Sequence, residues 1–263
     1  MNPARTRTPE VTIAIVGAGR LGGVLARAFR HAGFIVSGPH ARGERVPDAD
    51  IALLCVPDDA IASAARAARD SAPLIGHVSG ATTLADVDFS IHPLQTSTGG
   101  ESPDVFRGIG CAVAGRTDAD RAVAERLATA LGAAPFTVDD SRRAAYHAAA
   151  SLASNLVLAV LDAAEQLADA AGIRPDEARS LLAPLARRTV ENWVVDGAHD
   201  ALTGPVARGD ERTVIRQRAA VDTARPALTR LFDELVAATR TISATRAGAA
   251  RTDDARASSE VAA

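Results

Sequence analysis

The stretch VTIAIVGAGRLG, from Val11 to Gly22, decides the fold class. Its apolar, β-branched first half predicts a buried strand, and the glycine-rich turn that follows opens a helical pattern. In such a turn the first glycine permits a tight bend, the second lets a phosphate approach the backbone, and the third lets helix and strand pack closely. The free N–H groups of the helix start complete a dinucleotide-binding pattern. The predicted cofactor contacts here are Gly17, Gly19, Arg20, Leu21 and Gly22. The alternative is a glycine-rich turn that binds nothing.

Outward from this stretch, short apolar runs alternate with helical stretches as far as Val138. Strands are predicted at 11–16, 34–37, 51–56, 74–78, 89–91, 110–114 and 135–138, and helices at 20–32, 58–69 and 118–131. Continuously apolar strands separated by helices predict a mostly parallel sheet that is covered on both faces. We therefore assign residues 10–140 to an α/β Rossmann-type dinucleotide-binding domain.

After about Asp140 only helical periodicity remains. The longest helix is predicted from Ser141 to Ala171, and its nearly uniform apolar character predicts packing at the centre of a domain. Further helices are predicted at 175–196 and 212–245, separated by a long break for which a functional role is one explanation. Residues 141–245 are assigned to an all-α substrate and dimerisation domain. Residues 246–263 have almost no large apolar side chain and are assigned to a disordered tail.

Composition excludes several classes of function. The 263 residues carry 29 basic and 32 acidic side chains, so no polyanion-binding surface is indicated and no nucleic-acid partner is expected. The apolar run from Leu156 to Leu161 is far shorter than a membrane span, and the N-terminus lacks the pattern of a signal peptide. We therefore expect a cytoplasmic protein with no membrane contact. Cys55 and Cys111 are predicted to be reduced core residues, and no metal site is expected. Every basic residue is an arginine, which excludes Schiff-base chemistry and a lysine acid.

The segment after the second strand bears on the choice of cofactor. An NAD-specific protein would place a carboxylate here, against the ribose hydroxyls. No acidic residue occurs before Glu44, whereas Ser37 and Arg42 suit a 2′-phosphate. The sequence therefore predicts NADP (NADPH) rather than NAD. The other explanation for Arg42 is a solvated loop arginine.

Polar side chains follow several later strands, at the edge of the sheet where cofactors bind. Val56 and Pro57 are predicted cofactor contacts, and Ser79 and His92 are predicted to be catalytic. An imidazole suits proton exchange with a carbonyl near neutral pH, and a serine hydroxyl can orient the carbonyl oxygen. A strand-end histidine that bonds to backbone is the alternative for His92.

On the long helix, His147, Ser151 and Asn155 are spaced i, i+4 and i+8, which predicts one shared face. A polar stripe on an apolar helix lines a cavity or pairs with neighbouring elements. We assign His147 and Asn155 to catalysis and Ser151 to substrate binding. Three further residues are predicted to complete the substrate cavity: Asn192, Thr203 and Arg208. Arg208 would bind a carboxylate of the substrate, and an ion pair with Asp210 is the alternative.

Six short motifs together give the chain a recognisable pattern over residues 10–240. They are GAGRLG from Gly17, VPDDAI from Val56, HVSGA from His77, IHPLQT from Ile91, YHAAASLASN from Tyr146 and ALTGPVARGD from Ala201. In their order and spacing they resemble a family of Rossmann-type NADP oxidoreductases with a helical C-terminal domain of undefined function. That family is related to pyrroline-5-carboxylate reductase, ketopantoate reductase and the hydroxyacid dehydrogenases. The resemblance implies a C-terminal domain of the 6-phosphogluconate-dehydrogenase type and a homodimer.

The same resemblance suggests a substrate. It implies a role in pantothenate biosynthesis, in which ketopantoate (2-dehydropantoate) is reduced to pantoate. Ketopantoate reductases use a lysine followed four residues later by an asparagine, and here Ser151 and Asn155 have that spacing while lysine is absent. His147 or His92 must then serve as the acid. The IHPLQT motif is also similar to the histidine-proline motif of prephenate dehydrogenases, which supports His92.

The sequence thus predicts an NADP-dependent oxidoreductase that acts on a small carbonyl compound between two domains. A cyclic-imine reductase and a non-catalytic NADP-binding sensor or scaffold are the alternatives. The choice between a nicotinamide and a deazaflavin carrier stays open.

Overall fold

A computed structural model describes the backbone of residues 11–260 and the side chains of residues 11–244. The chain divides into two compact units, Met1–Asn155 and Leu156–Ala263, which are considered separately below. The change from alternating strands and helices to helices alone falls earlier, after the last strand, close to the predicted boundary at residue 140. The two units are called the sheet unit and the helical unit.

The sheet unit is built on one sheet of seven strands in the order β2-β1-β3-β4-β5-β6-β7. The strands are β1 Thr12–Val16, β2 Ile35–His40, β3 Ile51–Leu54, β4 Leu74–His77, β5 Phe89–Pro93, β6 Gly110–Gly115 and β7 Ala134–Thr137. All neighbouring pairs run parallel except β5 and β6, which are antiparallel. The predicted mostly parallel Rossmann-type sheet is therefore confirmed.

Helices cover both faces of this sheet because its strands are apolar on both sides. They are α1 Arg20–His31, α2 Ile61–Ala68 and α3 Asp118–Ala130. One core cluster packs side chains of α1 and α3 against one face, including Leu25, Phe29 and Leu127. A second cluster packs α2 against the other face, including Ile61 and Ile75. Each large side chain buried in this way contributes roughly 1.5–3 kcal/mol of hydrophobic stabilisation.

The helical region is more divided than the sequence predicts. Its helices are α4 Arg143–Ala153, α5 Asn155–Ala170, α6 Pro175–Ala201, α7 Glu211–Ala224 and α8 Thr229–Glu260. The predicted single helix from 141 to 171 is broken at Ser154, whose φ of −131° and ψ of −84° are not helical and whose hydroxyl donates to the carbonyl of Ala150. The predicted helix from 212 to 245 is broken at Pro226, because proline cannot continue the hydrogen-bond ladder.

The prediction that the long apolar helix packs at the centre of a domain is wrong for the single chain. Large apolar side chains on α5 and α6 are exposed, with Leu158 at 66% and Val195 at 81% of their possible surface. Within the described residues one helical run, Asp140–Ala170, has the length and the mean hydropathy, 1.5, of a membrane span, which the sequence reading did not anticipate. This is weak support for a membrane contact, because the same exposure is typical of a helix that packs against another protein surface.

Within the segment 246–263, for which the sequence predicts a disordered tail, α8 continues as far as Glu260. The alanines and arginines of this segment are strong helix formers. Residues 261–263 lie outside the described residues.

Candidate functional site

The turn between β1 and α1 has the close contacts that a phosphate-binding turn requires. Gly17 has φ +117°, a conformation that favours glycine, and its N–H donates to the carbonyl of His40 at 2.8 Å. A Cβ at Gly22 would lie 2.1 Å from the carbonyl oxygen of Gly17, so no side chain fits there. A Cβ at Gly19 would meet nothing within 4 Å. The backbone at Gly19 is therefore open to a ligand while its neighbours are packed.

A cavity of about 490 Å³ lies beside this turn. Its lining includes five of the predicted cofactor contacts, Gly17, Gly19, Arg42, Val56 and Pro57. The other four do not line the cavity. Gly22 is buried, Leu21 packs against the core, Arg20 is exposed at the start of α1 and Ser37 lies within β2.

The wall formed by the end of β2 carries both charge signs. The carboxylate of Glu44 accepts a hydrogen bond from the N–H of Ala41 at 2.8 Å, which holds it against its own loop. Arg42 has no hydrogen-bond or ion-pair partner among the described residues. Ser37 Oγ lies 3.2 Å from His40 Nε2. In this wall Arg42 is therefore available to bind an anion, whereas the carboxylate of Glu44 already has a hydrogen-bond partner.

A second group of polar side chains lies where β4 and β5 end, at the same edge of the sheet. His77, at the end of β4, is fully buried: its Nδ1 accepts from the N–H of Ser79 and its Nε2 donates to the carbonyl of Thr83, both at 3.2 Å. These two backbone partners fix one neutral tautomer. Burial lowers the pKa of His77, which agrees with a neutral ring.

Arg143 joins the start of α4 to this edge. The residue is only 3% exposed, and its guanidinium donates to Asp140 Oδ1 at 2.6 Å, to the carbonyl of Ser79 at 3.4 Å and to the hydroxyl of Ser90. Because the Arg143 guanidinium is buried and has three hydrogen-bond partners, it fixes the position of the residues that follow it on α4. Tyr146 and His147 follow three and four residues later, one turn along α4.

His92, Tyr146 and His147 meet directly. His92 Nδ1 lies 2.6 Å from the hydroxyl of Tyr146, and the rings of His92 and His147 meet edge to face with centroids 5.9 Å apart. The backbone passes close by at Gly80, where a Cβ would lie 2.9 Å from His92 Nε2 and 2.8 Å from His147 Cδ2. Gly80 therefore lets the two imidazoles approach the end of β4. These residues, with Gly80, are called the imidazole cluster.

The electrostatics of the imidazole cluster favour neutral groups. Burial, the neighbouring His147 and Arg143 lower the pKa of His92 to about 4. Burial raises the pKa of the Tyr146 hydroxyl to about 12. At neutral pH His92 is therefore an uncharged imidazole and Tyr146 an uncharged phenol.

Ser79, which the sequence predicts to be catalytic, lies in the turn after β4. Its hydroxyl accepts from the N–H groups of Ala81 and Thr82 and contacts the Thr82 hydroxyl, all within 3.1 Å. These bonds close a turn after β4, as serine hydroxyls commonly do. Because its hydrogen-bonding capacity is used within that turn, Ser79 orients the loop that carries Gly80.

The predicted stripe on the long helix is divided. His147 and Ser151 lie on α4 and are partly buried, whereas Asn155 is exposed at the start of α5, after the break at Ser154. Asn155 Oδ1 accepts from the Ser154 hydroxyl at 3.3 Å. The regular i, i+8 relation on one helix therefore does not exist in the structure.

The remaining predicted substrate residues lie in the helical unit. Asn192 is partly buried on α6, and Thr203 and Arg208 are exposed in the segment before α7. Asp210 caps α7 by accepting from the N–H of Thr213, and no ion pair joins it to Arg208 in the described part of the chain. Arg208 is nevertheless close enough to help lower the pKa of Asp210, after the hydrogen bonds from Thr213 and beside Arg216, so both explanations of Arg208 stay open.

Sequence reasoning assigned no role to Tyr146 and Gly80, which belong to the imidazole cluster, or to Arg143, which holds the start of α4. An arginine in the first turn of a helix is unfavourable to the helix dipole, and that was the available signal for Arg143. Tyr146 is the chain's single tyrosine, in a chain with 3% aromatics. Among the described residues, no group of three His, Cys, Asp or Glu side chains is placed to hold a metal ion.

Comparisons with known proteins agree with this architecture. A "putative NADP oxidoreductase" from Bacteroides fragilis is 21% identical, with a TM-score of 0.74 over 88% of this chain and 98% of that one. A protein from Thermotoga maritima is 22% identical, with a TM-score of 0.70 over 89% of this chain and 98% of that one. Pyrroline carboxylate reductase from Plasmodium falciparum, solved with NADP bound, is 11% identical, with a TM-score of 0.56 over 89% of this chain and 98% of that one.

No curated protein matches the sequence. Residues 109–239 match a family described as a domain of unknown function, DUF2520. That match begins next to β6 and ends within α8, so it covers the end of the sheet and most of the helical region. The chain therefore has the Rossmann-type fold that these solved structures share, and its residues 109–239 are similar to the DUF2520 family.

Proposed function

We propose that this chain is an NADP-dependent oxidoreductase that reduces a small carbonyl compound. The observation that carries the proposal is the open backbone at Gly19, beside a cavity at the carboxyl edge of the mostly parallel sheet. The imidazole cluster lies further along the same edge. Dinucleotides bind across this edge in Rossmann-type folds. The relatives described as an NADP oxidoreductase and as an NADP-bound reductase support the same cofactor.

The residues present fit NADP(H). The turn from Gly17 to Gly19 and the free N–H groups at the start of α1 would hold the pyrophosphate, and Arg20 adds an exposed positive charge. Arg42 would bind the 2′-phosphate, because it lines the cavity without a competing partner. A bound NADPH supplies hydride. The imidazole cluster lies at the strand ends next along the edge, so it would face the carbonyl that receives the hydride.

Calorimetry with NADPH and, separately, NADH tests the cofactor. We expect tighter binding of NADPH, and Arg42→Ala should reduce this preference about 10- to 100-fold, since a charge-assisted phosphate contact contributes roughly 1.5–3 kcal/mol. Arg45→Ala is a matched control, because Arg45 is a nearby exposed arginine that is absent from the cavity lining. Equal or tighter binding of NADH would contradict the assignment.

The specific substrate we propose is ketopantoate. The support is the similarity of the motifs to those of ketopantoate reductases, together with an exposed arginine, Arg208, that suits a carboxylate. Oxidation of NADPH on addition of ketopantoate would support this substrate, and Arg208→Ala should then raise KM with little change in kcat. Absence of turnover with ketopantoate would contradict it.

A cyclic imine is the second candidate substrate, and the low pKa of His92 favours it. A protonated imine accepts hydride without needing an acid, whereas an alkoxide formed from a ketone requires a proton. The structural similarity to pyrroline carboxylate reductase points the same way. Pyrroline-5-carboxylate and ketopantoate, compared at equal concentration, separate the two candidates. Tight NADPH binding with no turnover of either would favour a sensor or scaffold.

We also propose that the protein is a homodimer. The helical unit leaves a set of large apolar side chains exposed on α5 and α6: Leu156, Val157, Leu158, Leu161, Leu181, Leu185 and Val194. Exposed apolar areas of this kind commonly mark protein interfaces. In analytical ultracentrifugation we expect a dimer, and Leu158→Glu should give a monomer. Ile35→Glu, at an exposed apolar residue of the sheet unit, should leave the dimer intact.

A further inference from the structure

The bond between Tyr146 and His92 is not explained by fold or by cofactor binding. At 2.6 Å it is short for a hydrogen bond between neutral groups, and the hydroxyl has no other partner among the described residues. Tyr146 is held in place from two sides, because its ring also meets Phe136 edge to face with centroids 5.9 Å apart. The hydroxyl is thus aimed at one atom, Nδ1 of His92.

The chemistry of the two groups decides the direction of this bond. A phenol is a much stronger acid than a neutral imidazole N–H, so a phenol O–H donating to an imidazole nitrogen is the stronger arrangement. In the reverse arrangement, with Nδ1–H as donor, the Tyr146 proton would have no acceptor in the described part of the chain. Tyr146 therefore donates, and the ring proton of His92 resides on Nε2.

The Nε2 atom of His92 is available for a ligand. It has no hydrogen-bond partner among the described residues. The one side-chain nitrogen or oxygen there that is both fully buried and without a partner is His199 Nε2. His92 Nε2 is therefore not fully buried and keeps contact with solvent. The charged and titratable groups that act on His92 come from each element around it: His147 and Arg143 from α4, Asp58 from the turn before α2, and His77 from β4.

We propose that Tyr146 is a positioning residue that holds His92 as the neutral Nε2–H tautomer, so that His92 donates a hydrogen bond to the substrate carbonyl and does not give up a proton. This inference rests on the proposed reductase function of the site. When hydride from a reduced nicotinamide forms a bond to the carbonyl carbon, the C=O electron pair moves onto oxygen. Nε2–H stabilises the developing alkoxide, and a proton from water completes the alcohol.

The charge state of the cluster supports this role. His92 would have to be an imidazolium to act as an acid, and burial beside Arg143 and His147 opposes that form. A neutral imidazole that polarises a carbonyl through its N–H is an established alternative to a protonated one. Gly80 lies against both imidazole rings and has no side chain, so it offers neither histidine a side-chain hydrogen bond.

Nitrogen NMR of the ¹⁵N-histidine-labelled protein tests the tautomer without requiring turnover. The chain has six histidines, and the His92 signals are identified by their loss in His92→Gln. We expect Nε2–H in the native protein, and a shift towards a mixture of tautomers in Tyr146→Phe. Phe136→Leu is the matched control, since it alters packing on the tyrosine ring but leaves the hydroxyl, and it should keep the Nε2–H form. A predominant Nδ1–H tautomer in the native protein would overturn the proposal.

Kinetics test the role of the N–H. Glutamine places its amide NH₂ near the position of Nε2, whereas asparagine places it near Nδ1, so His92→Gln keeps a donor at the relevant place. We expect His92→Asn to lower kcat about 10²–10³-fold, as for the loss of an oxyanion donor, and His92→Gln to recover at least about tenfold of that loss. Equal activities of the two variants would overturn donation as the role. If no variant and no native protein turns over, the reductase function fails while the NMR result still decides the tautomer.

The single tyrosine gives one more measurement. Its phenolate absorbance reports Tyr146 alone, and we expect ionisation well above pH 10, near 12. Biosynthetic replacement by fluorotyrosines of graded acidity changes this one hydroxyl. As long as the phenol stays protonated at the assay pH, kcat should change smoothly with its acidity. Ionisation of Tyr146 below pH 9 would make it an acceptor and overturn its assignment as donor.

Discussion

The same kind of side chain has opposite surroundings in the two units. Leu54 on β3 is fully buried, whereas Leu158 on α5 is 66% exposed. In the helical unit the buried apolar residues, among those described, are only Ala178, Val214 and Val221. The sheet unit thus completes its core within one chain, and the helical unit leaves much of its apolar surface exposed. A single chain therefore contains one self-sufficient part and one that we expect to be completed by association.

The largest effect should come from truncating matched leucines in the two units. Leu54→Ala should cost about 2–5 kcal/mol of unfolding free energy, because it leaves a cavity in a closed core. That loss should not depend on protein concentration. Leu158→Ala should show a smaller loss that shrinks on dilution, since in the proposed dimer its contacts form between chains and both proteins lose them when the dimer dissociates. Urea unfolding at two protein concentrations measures both, and a concentration-independent zero effect for Leu158→Ala would remove the proposed interface.

The glycine turn offers a pair of variants within the sheet unit. Gly22→Ala places a Cβ 2.1 Å from the Gly17 carbonyl oxygen and should destabilise the fold by about 1–3 kcal/mol as well as weaken NADPH binding. Gly19→Ala meets no protein atom and should preserve stability while it blocks the approach of a phosphate. Thermal unfolding and calorimetry separate the two effects. Equal NADPH affinity in Gly19→Ala and the native protein would show that the nucleotide does not lie against this turn.

A pH effect should be specific to the imidazole cluster. The pKa of His92 is about 4 in the folded chain and near its ordinary value of 6.5 when unfolded, so the unfolded chain binds more protons between these values. The contribution of neutral His92 to the free energy of unfolding is therefore fully present above pH 6.5 and is lost as the pH decreases towards 4. Between pH 7.5 and 5 the loss should be about 2 kcal/mol. Urea unfolding at the two pH values measures this. In His92→Gln the free energy of unfolding should decrease less with falling pH. The decrease that remains should be the one due to His77, whose pKa is also lowered.

The smallest effect should come from the exposed ion pairs of the helical unit. Arg225 bonds Asp169 at 2.8 Å, with both side chains in contact with water. Arg225→Ala should change the unfolding free energy by less than about 1 kcal/mol, because solvent screens such pairs. Repeating the measurement at high salt should remove even this difference. A larger loss would mean that a second chain covers the pair.

The sequence predicts the sheet well because its signals are local. Alternating apolar runs define each strand, and the glycine turn after Val16 fixes which edge binds a nucleotide. The helices are predicted less well, since the break at Ser154 has no glycine or proline near it in the sequence to signal it. The imidazole cluster was half predicted. His92 and His147 are conspicuous, whereas their connection through Tyr146 and Arg143 depends on residues more than 50 positions apart in the chain.

The reversal between β5 and β6 has a consequence for anyone who isolates the part of this chain that matches DUF2520. The DUF2520 segment begins at residue 109, so an excised fragment would contain β6 and β7 but not β5, the strand with which β6 pairs. The open backbone groups of β6 and the apolar face of α3 would both be exposed, which favours aggregation. The segment by which the domain is recognised is therefore not the segment that folds, and expression trials should keep the chain from the first strand onward.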